Sequence, residues 1–257
     1  MKPPSRASRI RLLVAEQAAL RGARVGVVDV CNAAAAALPF DGAGVSAMFR
    51  TAASHPLCST DDISEQLEEL QLTLGEGPCV DAFALGSVIT APDLQTAETH
   101  SRWPAFAEAA IDAGAGAVCA FPLQVGAIMP GVLDLYSTGP VELDQEQLAD
   151  ACAFADTATL VLLDARIEQP VLPLGIAPEI APDRRLEDLG GYRAEIDQAT
   201  GMLTVQLGVG IEEAFIRLRA HAYARGQRLA EVASDIVARR LRLPPGPDTD
   251  ESDEPSD

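Results

Sequence analysis

Residues 191 to 243, GYRAEIDQATGMLTVQLGVGIEEAFIRLRAHAYARGQRLAEVASDIVARRLRL, form a run in which apolar residues return every third or fourth position and glycines mark the breaks. In its second part Ile211, Ala214, Phe215, Leu218 and Ala222 fall on one helix face, and in its third Leu229, Val232, Ala233, Ile236 and Val237 do the same. The first part is longer and narrower. Leu189, Tyr192, Ile196, Ala199 and Leu203 alternate steps of three and four, a seam suited to a coiled-coil partner. Gly208 and Gly226 stand where glycine ends a helix, because it takes the left-handed conformation without a Cβ clash. Three helices this short have little core of their own. They need an upstream domain, a partner, or both.

The rest of the chain is large enough to supply one. With 257 residues, 48% hydrophobic and 22% charged, it can build one or two ordinary cores. Its formal net charge of −19 is unevenly spread. Residues 190 to 245 hold eight arginines against six acids, whereas residues 246 to 257 hold six acids and no base. An acidic body joined to a weakly basic helical module argues against general polyanion binding and allows a local anion-binding face on the module. Five cysteines (Cys31, Cys58, Cys79, Cys119, Cys152) lie without CxxC or histidine-linked spacing, which argues against a disulfide framework and a structural zinc site. No metal ligands are expected. The alanine-rich run near Val25 to Phe40 is broken by Asp29, Asn32 and Pro39, so neither a leader peptide nor a membrane span is expected, and a reducing cytoplasm is the location this implies.

Upstream, the pattern predicts an α+β domain. Residues 1 to 9 read as a disordered basic tip, and Ile10 to about Leu38 as helix split by Gly22 and Gly26. Ala43 to Phe49 reads as a buried strand with Leu57 to Thr60 as its hairpin partner, and Ile63 to Leu72 as a short helix. Two glycines and a proline in Leu74 to Phe83, LGEGPCVDAF, set a rigid bend. Ser87 to Ala91 suggests a strand, and Trp103 to Ala113 a helix with Pro104 in its first turn. Gly116 to Leu123 and Gly131 to Tyr136 read as paired strands, and Asp144 to about Glu168 as a long helix. That order indicates an antiparallel sheet with helices largely on one side. Four prolines between Gln169 and Pro182 make an extended linker, and residues 244 to 257 an acidic disordered tail.

Two resemblances follow from these residues. Residues 189–243 resemble an ANTAR module, the three-helix RNA-binding domain of bacterial transcription antiterminators. The likeness is carried by Gln198-Ala199-Thr200-Gly201-Met202-Leu203, Glu213-Ala214-Phe215, Leu218-Arg219 and Leu229-Ala230-Glu231-Val232-Ala233. Residues 10–168 resemble the GAF domains, antiparallel sheets with flanking helices, that precede such modules in actinobacterial-type regulators. Here the likeness is carried by Leu74-Gly75-Glu76-Gly77-Pro78-Cys79, Trp103-Pro104-Ala105-Phe106, Phe121-Pro122-Leu123 and Gly131-Val132-Leu133-Asp134. Residues 169–188 would be the linker between them. The family often has lysine where this chain has Thr200, which removes a phosphate-seeking charge and implies weaker RNA affinity or salt dependence.

The resemblance implies a dimeric, signal-responsive regulator that binds RNA hairpins in nascent transcripts and controls termination. Its RNA-contacting candidates are Thr200, Arg219, Arg225, Gln227 and Arg228, since arginine forks suit phosphate and guanidinium planes stack on unpaired bases. Cys79, Asp93, Trp103 and Asp134 are the candidate lining of a small-molecule pocket in the GAF domain, with no cofactor named. The alternative is a GAF-based redox or small-molecule sensor or enzyme, like the free-methionine sulfoxide reductases that share the fold, using Cys79 and Cys119 as a thiol pair and the helices as a dimeriser. No GxSxG, HExxH or GxxxxGK[ST] motif is present, so the expectation is a protein that is not an enzyme.

Overall fold

The computed structural model describes residues 4–48, 55–167 and 184–244. The chain falls into two compact units, Met1–Arg193 and Ala194–Asp257. In the first, ten elements surround and form a sheet: α1 (Arg6–Arg21), α2 (Val27–Ala37), β1 (Gly42–Ala47), β2 (His55–Ser59), α3 (Asp62–Leu74), α4 (Pro78–Leu85), β3 (Ile89–Ala91), α5 (Ala97–Arg102), α6 (Pro104–Asp112) and β4 (Ala117–Val125). Strand β5 (Ile128–Ser137) and helix α7 (Gln145–Ile167) complete it. The strands pair antiparallel in the order β2-β1-β5-β4-β3.

Helices cover both faces of this sheet, not largely one as the element order suggested. On one face Ile10 and Val14 of α1, Val30 and Ala34 of α2, and Phe154 and Ala158 of α7 pack on Val45, Phe121, Leu133 and Leu135. On the other, Leu67 of α3, Cys79 and Ala82 of α4, and Phe106 and Ala110 of α6 pack on Val118, Ala120, Val132 and Tyr136. Neighbouring residues of β4 and β5 thus enter opposite cores, the period-two alternation of a strand with apolar residues on both sides.

Local chemistry explains the ends of the elements. Asp61 caps α3 by accepting from Ser64 N at 2.8 Å, and the Ser64 hydroxyl accepts from Asp61 N. Helix α1 starts at Arg6, inside the stretch expected to be disordered, with Ser5 as its N-cap. Arg6 and Arg9 both reach Asp150 of α7, which ties α1 across the face and holds the Asp150 carboxyl below the usual range. Asp29, fully buried, pairs with Arg21 at 2.7 Å and accepts from Gly26 N at 2.8 Å. Cys31 of α2 and Cys58 of β2, 27 positions apart, are joined as a disulfide, a single bridge rather than a framework, with Cys79, Cys119 and Cys152 left as thiols.

The second unit holds α9 (Ile211–Arg225), α10 (Leu229–Val237) and the C-terminal part of α8 (Arg184–Leu207). Helix α8 begins within the stretch read as linker; the four linker prolines and the acidic tail beyond residue 244 lie outside the described residues. Gly208 and Gly226 adopt φ of 68° and 58°, the left-handed geometry that ends a helix. Gln206 Nε2 of α8 donates to the Leu243 carbonyl at 2.5 Å, so the segment after α10 folds back onto α8. No helix among the described residues is long and apolar enough to cross a membrane.

One close approach fixes the middle of the sheet. A Cβ on Gly131 of β5 would collide with the Ser46 carbonyl of β1, where no flexible side chain can yield. Gly131→Ala is expected to destabilise the domain by about 2 kcal/mol or more, seen as a lower urea midpoint with an unchanged slope.

Candidate functional sites

A polar cluster is sealed between the sheet and helices α3 and α4. Asp134 lies on β5 directly opposite Gly44 of β1. Glu68 of α3 enters over that glycine, at which a Cβ would strike the Glu68 carboxylate. Ser46, two residues along β1 on the same face, donates its hydroxyl hydrogen bond to Glu68 Oε2. One turn further along α3, Gln71 uses both ends of its amide. Its Nε2 donates to Asp134 Oδ2 at 3.3 Å, and its Oε1 accepts the Cys79 backbone N–H at 2.7 Å. Gly77 makes this second bond possible: it adopts φ 128°, and a Cβ there would press on the Gln71 side chain at 2.7 Å. The LGEGPC bend is therefore a device that lays the start of α4 on Gln71 and delivers Cys79 to the cluster. Cys79 Sγ reaches Met48 Sδ at 4.0 Å.

The cluster is fully desolvated, and its electrostatics follow from that. Glu68, Cys79 and Asp134 are 3%, 2% and 5% exposed. Burial, then the neighbouring Asp134 charge, pushes the Glu68 carboxyl well above its ordinary value. Burial raises Asp134 to about 6, against hydrogen bonding that favours its charged form. The Cys79 thiol is pushed up by burial and then by the two carboxylates. Asp134 Oδ1 is buried without a hydrogen-bond partner. Among the described residues, no lysine, arginine or histidine bonds to any of the three.

The expected lining is only partly assembled here. Cys79 and Asp134 meet. Trp103 shares their apolar core, but its indole N–H donates to Asp81 Oδ2 at 3.1 Å and Arg102 stacks on its ring at 4.6 Å. Asp93 shapes the loop after β3, where its carboxylate accepts from Gln95 N at 2.8 Å and its carbonyl accepts from the Thr96 and Thr99 hydroxyls. Glu68, Gln71 and Ser46 are the members that sequence reasoning missed. The signal for two of them was present: Ser64, Glu68 and Gln71 follow the spacing of four and three that marks an inward helix face, and all three are buried. The expected thiol pair is not formed. Cys119 points into the core beneath α1, α2 and α7, and Cys79 into the core on the opposite face of the sheet. Burial also raises the Cys119 thiol to about 12.

In the second unit the exposed polar set lies at the α9–α10 turn. Gly226 closes α9 with its N–H on Tyr223 O at 3.0 Å, and Gln227 N follows onto Ala222 O at 3.0 Å. These bonds fix the turn and leave the Arg225, Gln227 and Arg228 side chains exposed, beside the exposed Tyr223. Arg219 is half-buried one turn back, its guanidinium 5.7 Å from the Phe215 ring and its pKa lowered by desolvation. Thr200 is the correction in this set. It is 4% exposed and its hydroxyl donates to Ile196 O at 2.7 Å, so it belongs to the interior of the helices rather than to their surface. The α8 seam is likewise less open than expected: Ile196, Ala199 and Leu203 are buried within a single chain. Leu189 and Tyr192 lie outside the residues whose side chains are described.

Comparison with known proteins agrees with this division. Residues 16–162 match the GAF domain family and residues 186–237 match the ANTAR domain family. No curated protein matches. Among solved structures the chain is similar to the GAF domain of a phosphoenolpyruvate-protein phosphotransferase from Acinetobacter, at 14% identity and TM-score 0.47, over 63% of this chain and 95% of that one. It is similar to the corresponding domain from Coxiella burnetii at 15% identity and TM-score 0.45, over 64% and 98%. It is also similar to a type II free methionine-R-sulfoxide reductase from Thermoplasma acidophilum at 14% identity and TM-score 0.40, over 62% and 96%.

The Gln71 amide is the hinge of the buried cluster. Gln71→Ala strands the Cys79 N–H, and a buried donor left unsatisfied costs about 1–3 kcal/mol. The thermal midpoint of the GAF unit is expected to fall accordingly, and Gln71→Glu is expected to be worse because it adds a third carboxyl.

Proposed function

We propose, for a chain that belongs to the GAF family and carries an ANTAR domain behind it, a role as a signal-responsive RNA-binding regulator that acts by antitermination at hairpins in nascent transcripts. The observation that carries this reading is the α9–α10 turn, where a rigid glycine-closed corner presents Arg225, Gln227 and Arg228 together. Arginines so placed approach the phosphates and splayed bases of a loop without first paying to order the backbone beneath them. Arg219, one turn back and steadied by Phe215, extends the same surface. The regulator works as a homodimer that holds two hairpins and so prevents a terminator from forming. With Ile196, Ala199 and Leu203 buried in one chain, pairing uses a surface other than that part of the α8 seam.

A regulatory rather than catalytic role is supported by the state of the thiols. Thiol chemistry uses the thiolate. Cys79 and Cys119 are buried, raised in pKa and separated by the sheet, which speaks against their acting as a catalytic pair.

Filter binding of the full-length chain to a hairpin RNA selected from its own host transcripts tests the reading. Arg225→Ala and Arg228→Ala are each expected to weaken binding about tenfold and to lower the salt slope by about one per lost phosphate contact. Thr200→Ser is expected to leave affinity unchanged. Equal affinity for hairpin RNA and duplex DNA of the same length would overturn the proposal.

A further inference from the structure

The GAF-unit cluster has a feature that RNA binding does not account for. Glu68, Cys79 and Asp134 come from α3, α4 and β5, and one donor atom from each lies within 4.8 Å of the others. Three groups that are anionic when deprotonated share a space from which water is excluded. The carboxylates accept from the neutral Ser46 and Gln71, and Asp134 is also hydrogen-bonded to Glu68 and Cys79, so the protons of these two are what a cation would displace. Burying such charges is costly unless they are protonated, paired or hold a cation, and no hydrogen bond of ordinary geometry reaches the buried Asp134 Oδ1. The approach of these side chains is built into the backbone. Gly44 has no side chain where Glu68 enters, and Gly77 has none where Gln71 passes.

We propose that Glu68, Cys79 and Asp134 form a binding site for a thiophilic divalent cation, zinc being the best match. One sulfur and two carboxylate oxygens suit a borderline-soft ion, and ligand atoms around tetrahedral zinc stand about 3.5 Å apart. The three donors therefore need to close by about an ångström, a side-chain adjustment. Met48 Sδ, already 4.0 Å from Cys79 Sγ, sits at the margin of the same space. Gln71 is the outer-shell group: it orients Asp134 and fixes the backbone of Cys79. Binding replaces the Cys79 proton with a metal–sulfur bond and any carboxyl protons with metal–oxygen bonds, and those protons go to solvent. No change of oxidation state is involved.

Sequence spacing does not reveal such a site, because its ligands lie at positions 68, 79 and 134 with no histidine among them. The site is independent of RNA binding, so its failure would leave the preceding reading untouched.

Cobalt titration of the purified, chelator-treated full-length chain, without RNA, decides the matter. The expected result is one equivalent bound with a near-ultraviolet sulfur-to-cobalt charge-transfer band, displaced by zinc. Cys79→Ser is expected to abolish the band, and Cys152→Ser to leave it intact, which separates the cluster from the half-buried thiol on α7. Gln71→Ala is expected to weaken binding about 10- to 100-fold. The wild-type titration stands without the variants: cobalt binding that lacks the charge-transfer band reports weak association with the acidic surface and overturns the proposal. A band that survives Cys79→Ser overturns it too.

Discussion

Asp134 stands on β5, the middle strand of a sheet covered by helices on both faces, and a carboxyl in that position must be accommodated by everything that touches it. The strand opposite answers with Gly44, which leaves room for the Glu68 side chain. Helix α3 answers with Gln71, whose amide bonds the carboxylate at one end and the backbone of α4 at the other. That second bond requires α4 to begin close against α3, and the αL-like turn at Gly75 and the φ of 128° at Gly77 deliver it there. Glu76 completes the bend by accepting from Ala105 N and Phe106 N at the start of α6. Asp134 and Glu76 thus tie β1, α3, α4 and α6 into one face of the domain.

Much of the architecture is legible in local pattern. The strands of the central pair, GAVCAFPL and GVLDLY, are apolar but for Asp134, and the helices carry their caps in the sequence: Asp61, Gly22, Gly75 and Pro104 stand where α3, α1 and α6 begin or end. Placing helices largely on one side misread those same strands. A one-sided antiparallel strand alternates polar with apolar, and an unbroken apolar run signals burial on both faces. Asp134 is the one acid within the β5 run. It faces a core.

The candidate site was legible by residue type but not by assembly. Cys79 and Asp134 stood out as a cysteine and an acid inside apolar runs. Glu68 and Gln71 did not, because in DISEQLEELQLTL polar residues are so frequent that any of them reads as solvent-facing. Only their spacing of four and three from Ser64 distinguishes them. Asp93 and Trp103 show the opposite error: each is conspicuous, yet each is consumed by a local structural bond. In the C-terminal module, Gly226 correctly announced an exposed corner. Thr200 and the α8 seam misled, because a three–four repeat buries one face of a helix whether the partner is a second chain or the helix's own fold.

The two candidate sites also differ in what a ligand can do at each. At the α9–α10 corner the arginines are exposed, so a bound anion changes little of the fold beneath. At the buried cluster the ligand would come to three elements that are otherwise held together there by neutral hydrogen bonds and apolar packing. A ligand shifts a conformational equilibrium only by its difference in affinity between the states. A cation that needs α3, α4 and β5 in one place has a large difference by construction, since displacing any one of them removes a ligand. At a hundred times its dissociation constant it would stabilise the docked arrangement by about 2.7 kcal/mol, a substantial share of the stability of a domain this size. The polar cluster is therefore the part of the GAF unit where a small ligand would have the greatest leverage over the fold.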